Sequence, residues 1–262
     1  NNRVRRPLID RNLPPELPIQ PVCGPIDCEL AVPGSKSITN RALIVGALAD
    51  GPVHLSGALF ADDTHYMAAG LKQLGFAVRA DPAAATFSIE GQGGSIPAAG
   101  AELFIGNSGT SMRFLSAFVC LGRGRFRLDG VQRMRERPIA DLVEGLRALG
   151  VGARCELDNG CPPVLVEAAG LPGGRAPVDG SRSSQYSSAL LMVAPYARAP
   201  LSVEVTREFV SKPYVELTLR TMSDFGVLTA SEGRVYTPTH DVKYRAGRYE
   251  VEGDATPPRY FL

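Results

Sequence analysis

Tryptophan is absent from the 262 residues, histidine occurs only as His54, His65 and His240, and no two of the five cysteines have Cys-x-x-Cys spacing. Those gaps remove the compact His/Cys ligand sets of metal sites. Cys23, Cys28, Cys120, Cys155 and Cys161 then read as reduced structural thiols rather than a disulfide frame. An excess of one sign of charge is missing too. The net charge is +1, so nothing global steers the chain toward nucleic acid or an acidic membrane. No basic stripe with interleaved aromatics recurs, which argues further against nucleic acid. No apolar run reaches the roughly 18 residues of a membrane helix, and no signal peptide opens the chain. The cytoplasm is the expected compartment. What remains is a globular composition, 44% hydrophobic and 21% charged, long enough for one large or two ordinary domains. Any function that uses charge must therefore be local.

The densest local signal is Val32-Pro33-Gly34-Ser35-Lys36-Ser37-Ile38-Thr39-Asn40-Arg41, which runs into the apolar segment Ala42 to Ala49. Pro33-Gly34 marks a turn, and Ser35 or Ser37 can cap the helix that follows. Lys36 with Asn40, and Ser37 with Arg41, are four apart and share a face in the first turn. A helix start with unpaired N–H groups, two cations and two hydroxyls makes an anion site, for phosphate or carboxylate. The spacing is not that of a Walker A loop.

Beyond this point the chain repeats itself. Gly70-Leu71-Lys72-Gln73-Leu74-Gly75-Phe76 resembles Gly145-Leu146-Arg147-Ala148-Leu149-Gly150-Val151, and Leu219 to Val227 is a looser third copy. The helix-ending glycines Gly75, Gly150 and Gly226 recur 75 and 76 residues apart. Each is followed by two short strands, expected at 76–78 and 86–90, 151–153 and 164–167, and 227–229 and 234–237. An earlier helix recurs in phase at 37–49, 110–121 and 185–196, each followed by a strand. Three units of helix, strand, helix, strand, strand, closed by one more strand from the flanks, make an α/β domain. Packed about a common axis, they would bring three polar helix starts together.

The second start is Gly106-Asn107-Ser108-Gly109-Thr110-Ser111-Met112-Arg113, where Gly109 lets backbone approach a ligand and Arg113 lies over it. The third is Asp179-Gly180-Ser181-Arg182-Ser183-Ser184-Gln185-Tyr186-Ser187-Ser188, a hydroxyl and amide set suited to a polyhydroxylated ligand. The run Arg133-Met134-Arg135-Glu136-Arg137-Pro138 precedes a second helix, as Ser211-Lys212-Pro213-Tyr214 does in the third copy.

In order, Pro33 to Ser37 with Asn40 to Leu43, Gly106 to Thr110 with Arg113, Arg133 to Ile139, Asp179 to Ser181 with Ser183 to Gln185, and Ser211 to Tyr214 resemble the 5-enolpyruvylshikimate-3-phosphate synthases, an enolpyruvyl transferase family. The resemblance spans residues 17 to about 255. It implies an inside-out α/β barrel domain of three βαβαββ repeats at 31–248. A basic, proline-containing arm at 1–16 precedes it. Segments 17–30 and 249–262 would belong to a second domain whose acid/base residues are absent from this sequence, so that the chain alone would bind substrate weakly and catalyse poorly or not at all. The family moves the enolpyruvyl group of phosphoenolpyruvate to the 5-hydroxyl of shikimate 3-phosphate, releasing phosphate, without metal or organic cofactor. By position, Lys36, Gly109, Arg133 and Gln185 correspond to contacts with phosphoenolpyruvate. Lys36, Ser37, Arg41, Ser183, Ser184, Gln185, Ser211 and Tyr214 correspond to contacts with shikimate 3-phosphate. Lys36, between the two substrates, is the catalytic candidate, and Asn107, Thr110 and Arg113 are further candidates. A monomer is expected for the full-length protein. Two departures stand out: Phe114 replaces a common proline, and Asp254-Ala255-Thr256-Pro257-Pro258-Arg259 replaces a serine-rich hinge. The alternatives are a non-catalytic phosphate-binding module and the sibling transferase acting on UDP-N-acetylglucosamine.

Overall fold

The computed structural model describes residues 32–254 except 210, together with 16, 18 and 24. Apart from those three positions, the expected arm at 1–16, the segment 17–30 and the stretch 256–259 lie outside the described residues. From residue 32 onward the chain belongs to one compact unit.

Three copies of one unit follow each other. The first holds α1 (Lys36–Leu48), β1 (Pro52–Ser56), α2 (Asp62–Gln73), β2 (Val78–Asp81) and β3 (Thr86–Glu90). The second holds β4 (Gly100–Phe104), α3 (Gly109–Phe118), β5 (Arg123–Asp129), α4 (Ala140–Ala148), β6 (Gly152–Cys155) and β7 (Val164–Ala169). The third holds β8 (Gly174–Val178), α5 (Ser184–Val193), β9 (Leu201–Val205), α6 (Lys212–Asp224), β10 (Thr229–Glu232) and β11 (Val235–Pro238), and β12 (Gly247–Glu250) comes last. They form three four-stranded sheets, ordered β12-β1-β3-β2, β4-β5-β7-β6 and β8-β9-β11-β10. In each sheet the first pair is parallel and the other two are antiparallel. β12 thus stands where β4 and β8 stand, and the end of the third copy completes the first. The chain closes the ring of copies on itself.

The helices of a copy are not equivalent. Every residue of α1 from Ile38 to Leu48 is buried, as are nine of ten in α3 and nine of ten in α5. These helices are buried on all sides, polar residues of their first turns included, and fully burying each Leu or Ile there contributes about 1.5–3 kcal/mol. α2, α4 and α6 bury one face only. Inner helices with sheets outside give the inside-out α/β architecture that the resemblance implies.

Each outer helix ends in the same way. Gly75, Gly150 and Gly226 have φ of 91°, 83° and 91°. In each copy the glycine N–H and the next residue's N–H return to carbonyls of the last turn: Gly75 to Lys72 and Phe76 to Leu71, Gly150 to Arg147 and Val151 to Leu146, Gly226 to Ser223 and Val227 to Met222. This is a Schellman end, with Phe76, Val151 and Val227 as the apolar residues beyond it, all buried. It explains why the strands expected at 76–78, 151–153 and 227–229 start one or two residues later, at Val78, Gly152 and Thr229. The first of those residues serve the helix end.

Candidate active site at the helix starts

Serines cap all three inner helices. Ser35 Oγ accepts from the Ile38 N–H at 3.5 Å, Ser108 Oγ from Ser111 at 3.2 Å and Ser183 Oγ from Gln185 at 3.2 Å. Of the two expected caps for α1, Ser35 takes the role. Gly34 is required beside it, since a Cβ there would lie 1.9 Å from the Gly57 carbonyl oxygen. Ser35 N–H donates to the Glu252 carbonyl and Asp254 N–H to the Pro33 carbonyl, both at 2.9 Å. Strand-like pairing of 33–35 with 252–254 therefore fixes the entry to α1.

Side chains then tie the starts together. Lys36 Nζ is 3.3 Å from Asp63 in the first turn of α2, and Asp63 also accepts from the Ser108 hydroxyl at the start of α3. Gln185 of α5 donates to Thr110 Oγ1 of α3 at 3.1 Å. The Pro138 carbonyl, at the start of α4, accepts from Arg113 of α3 and Tyr186 of α5, both at 2.8 Å. Arg41 of α1 donates to the Tyr214 carbonyl in the first turn of α6 at 3.0 Å. All six helix starts, rather than the three expected, meet on one face. Six partial positive ends and their unpaired N–H groups there favour anions.

Two arginine arrangements differ on this face. Arg41 is 2% exposed, and its donors reach Thr218 Oγ1, the Ser37 carbonyl, Ser188 Oγ and the Tyr214 carbonyl, all neutral. Its guanidinium also lies 5.4 Å from the centroid of Phe114. Among the described residues no carboxylate pairs with it. Burial lowers its pKa to about 10, with Tyr214 opposing the shift. The second arrangement is a cleft of about 480 Å³ lined by Arg113, Arg137, Arg182, Ser183, Gln185 and Tyr186 with Pro138. Arg113 Nη1 donates to the Gly109 carbonyl and Arg137 Nη1 to the Asn107 carbonyl, both at 2.9 Å. Burial and then repulsion from Arg113 lower the Arg137 pKa, with Asp63 opposing. Among the described residues the buried Arg113 Nε has no partner.

Of the expected site residues, Lys36, Arg41, Asn107, Gly109, Thr110, Arg113, Ser183 and Gln185 are brought together by these bonds. Ser37 and Tyr214 take part through their carbonyls. Ser184 is buried beside the α5 cap, and Ser211 precedes α6 without a side-chain cap bond. Arg133 is not drawn into the cleft: its side chain is 73% exposed and pairs with Glu136 at 2.6 Å. Arg137 is, although the resemblance points to Arg133. Arg135 bonds both oxygens of Asp129, at 3.0 and 2.7 Å, and fixes the short turn Gln132–Glu136. Asp179 closes a local turn on Ser181 instead of facing the cleft. The partners Asp63 and Thr218 carry no motif signal, because each is read only through a residue distant in sequence, whereas Ser188 closes the serine-rich third start.

Among the described residues no helix is long and apolar enough to cross a membrane. The family model of EPSP synthase (3-phosphoshikimate 1-carboxyvinyltransferase) matches residues 22–262. The chain is 43% identical over 239 residues to a 3-phosphoshikimate 1-carboxyvinyltransferase of Trichormus variabilis, covering 91% of this chain and 56% of that protein. It is 45% identical over 255 residues to that of Opitutus terrae, covering 95% and 58%, and 42% identical over 271 residues to the chloroplastic protein of Petunia hybrida, covering 99% and 52%. A solved EPSP synthase from Acinetobacter baumannii superimposes with a TM-score of 0.77 at 26% identity, over 88% of this chain and 51% of that one. The chain spans about half the length of the curated relatives it matches. With its inside-out fold and its ring of helix starts, the chain belongs to the EPSP synthase family.

Proposed function

We propose that this chain supplies the substrate-anion site of an enzyme that transfers the enolpyruvyl group of phosphoenolpyruvate to the 5-hydroxyl of shikimate 3-phosphate, releasing phosphate. One observation carries the reading: six helix starts meet on a face that holds Lys36, Arg41, Arg113 and Arg137. Both substrates are anions that repel one another, and protonation of the enol phosphate's methylene carbon develops cationic character at the neighbouring carbon that the 5-hydroxyl attacks. Fixed cations and N–H groups remove the repulsion, hold the reacting atoms together and stabilise departing phosphate. In this reading Arg41, with Ser37, Ser183, Ser184, Gln185, Ser211 and Tyr214, takes the shikimate phosphate. Gly109, Gln185 and an arginine of the 133–137 run take phosphoenolpyruvate, and Arg137 is the arginine that the cleft favours. Lys36 serves both substrates. We assign 31–248 as the complete three-repeat domain and 17–30 and 249–262 as crossings to a second one. The working protein is read as a cytoplasmic monomer that uses no metal or organic cofactor.

Calorimetric titration of the chain with shikimate 3-phosphate, with inorganic phosphate and shikimate as controls, tests the acceptor site. Saturable binding that needs both ring and phosphate supports it. Equal binding of phosphate alone would reduce the site to a generic anion cradle. Lys36→Ala should abolish enolpyruvyl transfer in any preparation of this chain that turns over, with an unchanged melting temperature. Normal turnover by the variant would sink the role of Lys36.

A further inference from the structure

Arg41 poses a physical problem. Removing one partner from a buried ion pair costs about 3–5 kcal/mol, because the remaining charge is left uncompensated. Yet this guanidinium is 2% exposed, and among the described residues it faces only neutral groups. Those groups come from four elements. Thr218 Oγ1 of α6 accepts from Nε at 2.7 Å, and Ser188 Oγ of α5 accepts from Nη2 at 3.3 Å. The Thr218 hydroxyl is also 2.7 Å from Ser188 Oγ and 2.9 Å from the Tyr214 carbonyl, so the two hydroxyls hold each other in place. The Phe114 ring of α3 presents its face 5.4 Å away, where the ring quadrupole attracts a cation. Thr218 and Ser188 are both 0% exposed and Phe114 is 1% exposed, so they pack on Arg41 and its neighbours rather than on solvent.

We propose that Thr218, Ser188 and Phe114 are positioning residues that cage the Arg41 guanidinium and keep it aimed, without a neutralising acid, for the anionic group of the acceptor substrate. This rests on the function proposed above. A carboxylate in the cage would satisfy the cation and compete with the ligand, whereas hydroxyls, carbonyls and a ring face solvate it and leave its net charge intact. The cage also joins α1, α3, α5 and α6 at one point, so a ligand held by Arg41 is registered against the starts of several helices.

The test compares Thr218→Val, Thr218→Ser and Phe114→Leu in the 262-residue chain, with shikimate 3-phosphate titration and the Arg41 Nε–H resonance as readouts, the latter assigned by its loss in Arg41→Lys. Thr218→Val keeps the shape and removes the Nε acceptor. It should weaken acceptor binding about tenfold, equivalent to about 1.4 kcal/mol, and shift the Nε–H signal. Thr218→Ser should restore both. Phe114→Leu should weaken binding about threefold while leaving the Nε–H bond to Thr218 in place. Wild-type affinity and an unmoved Nε–H signal in folded Thr218→Val would overturn the cage. If the wild-type chain bound no shikimate 3-phosphate while the Nε–H signal still moved in Thr218→Val and returned in Thr218→Ser, the functional reading would fail and the caging geometry would stand. A lowered affinity that Thr218→Ser did not rescue would count against positioning, since a merely structural defect would explain it.

Discussion

The outer helices α2, α4 and α6 end on Gly75, Gly150 and Gly226, each at positive φ with both Schellman bonds made. The inner helices α1, α3 and α5 begin after equivalent serine caps but place Lys36, Gly109 and Ser184 first. The ends are alike because one backbone geometry, which only glycine adopts without strain, must recur in every copy. The starts differ because no single backbone geometry fixes the residue that follows each cap, and the three copies carry different side chains there. One unit thus gives three chemical surfaces: cations from α1, a bare backbone with Arg113 from α3, and hydroxyls with an amide from α5. If that division holds, substitutions at ends should change stability and spare binding, and substitutions at starts should do the reverse.

The largest effect is expected at an end. A Cβ at Gly75 would lie 2.8 Å from Pro97 Cβ, whereas at Gly150 the nearest atom, Pro172 Cγ, is 3.9 Å away. Gly150→Ala should cost only the left-handed backbone, about 1 kcal/mol, while Gly75→Ala adds overlap and should cost about 3 kcal/mol. Thermal unfolding measures both, and the remaining folded fraction should bind shikimate 3-phosphate with wild-type affinity. Lost affinity in folded Gly150→Ala would erase the distinction between ends and starts.

At a start the balance should invert. A Cβ on Gly109 would come within 2.3 Å of Arg137 Nη2 and 2.4 Å of Arg113 Nη1, both at the tips of flexible side chains. Gly109→Ala should turn those guanidinium groups aside, weaken phosphoenolpyruvate binding about tenfold and change unfolding by less than about 1 kcal/mol. A variant that binds phosphoenolpyruvate normally would show that Arg137 does not serve the cleft, and would return the role to Arg133.

The same division explains what could be read without coordinates. Helix ends announce themselves locally, through Leu-Gly pairs at a fixed interval, and the inner helices through apolar runs behind polar caps. The pattern does not place β4, β8 and β12 individually, beyond one closing strand expected from the flanks. β4 and β12 show why: β4 buries only Leu103 and β12 buries none of its four residues, so neither alternates apolar with polar. At the site, the residues of the starts are legible because a helix turn sets their neighbours. Their long-range partners are not: Thr218 lies 177 residues from Arg41 and Ser188 lies 147 residues away. In the run from Arg133 to Arg137 three arginines compete, and only the bond of Arg135 to Asp129 decides which side chains remain for the cleft.

That bond yields the smallest effect and the finest test of the comparison. Burial raises the Asp129 pKa, but the bonds from Arg135 and the Gly130 N–H, with the charges of Arg135 and Arg127, outweigh it and leave the carboxyl below its usual 3.8. A folded pKa below the unfolded one gives stability that is present above the unfolded value and lost as pH falls through the folded one. The contribution should therefore persist down to about pH 4 and disappear below it. Asp129→Asn should unfold at a slightly lower temperature at pH 6 and show a shallower loss between pH 5 and pH 2.5, to about the extent that one carboxylate among 27 acidic residues can contribute. Because Asp129 anchors the turn that leads to Arg137 and Pro138, the variant should also loosen the cleft at the start of α4. The Schellman end of that helix, at Gly150, should keep its amide-exchange protection. Equal loss of protection at Gly150 and at Ala140 would mean that the start and the end of one helix are not separable after all.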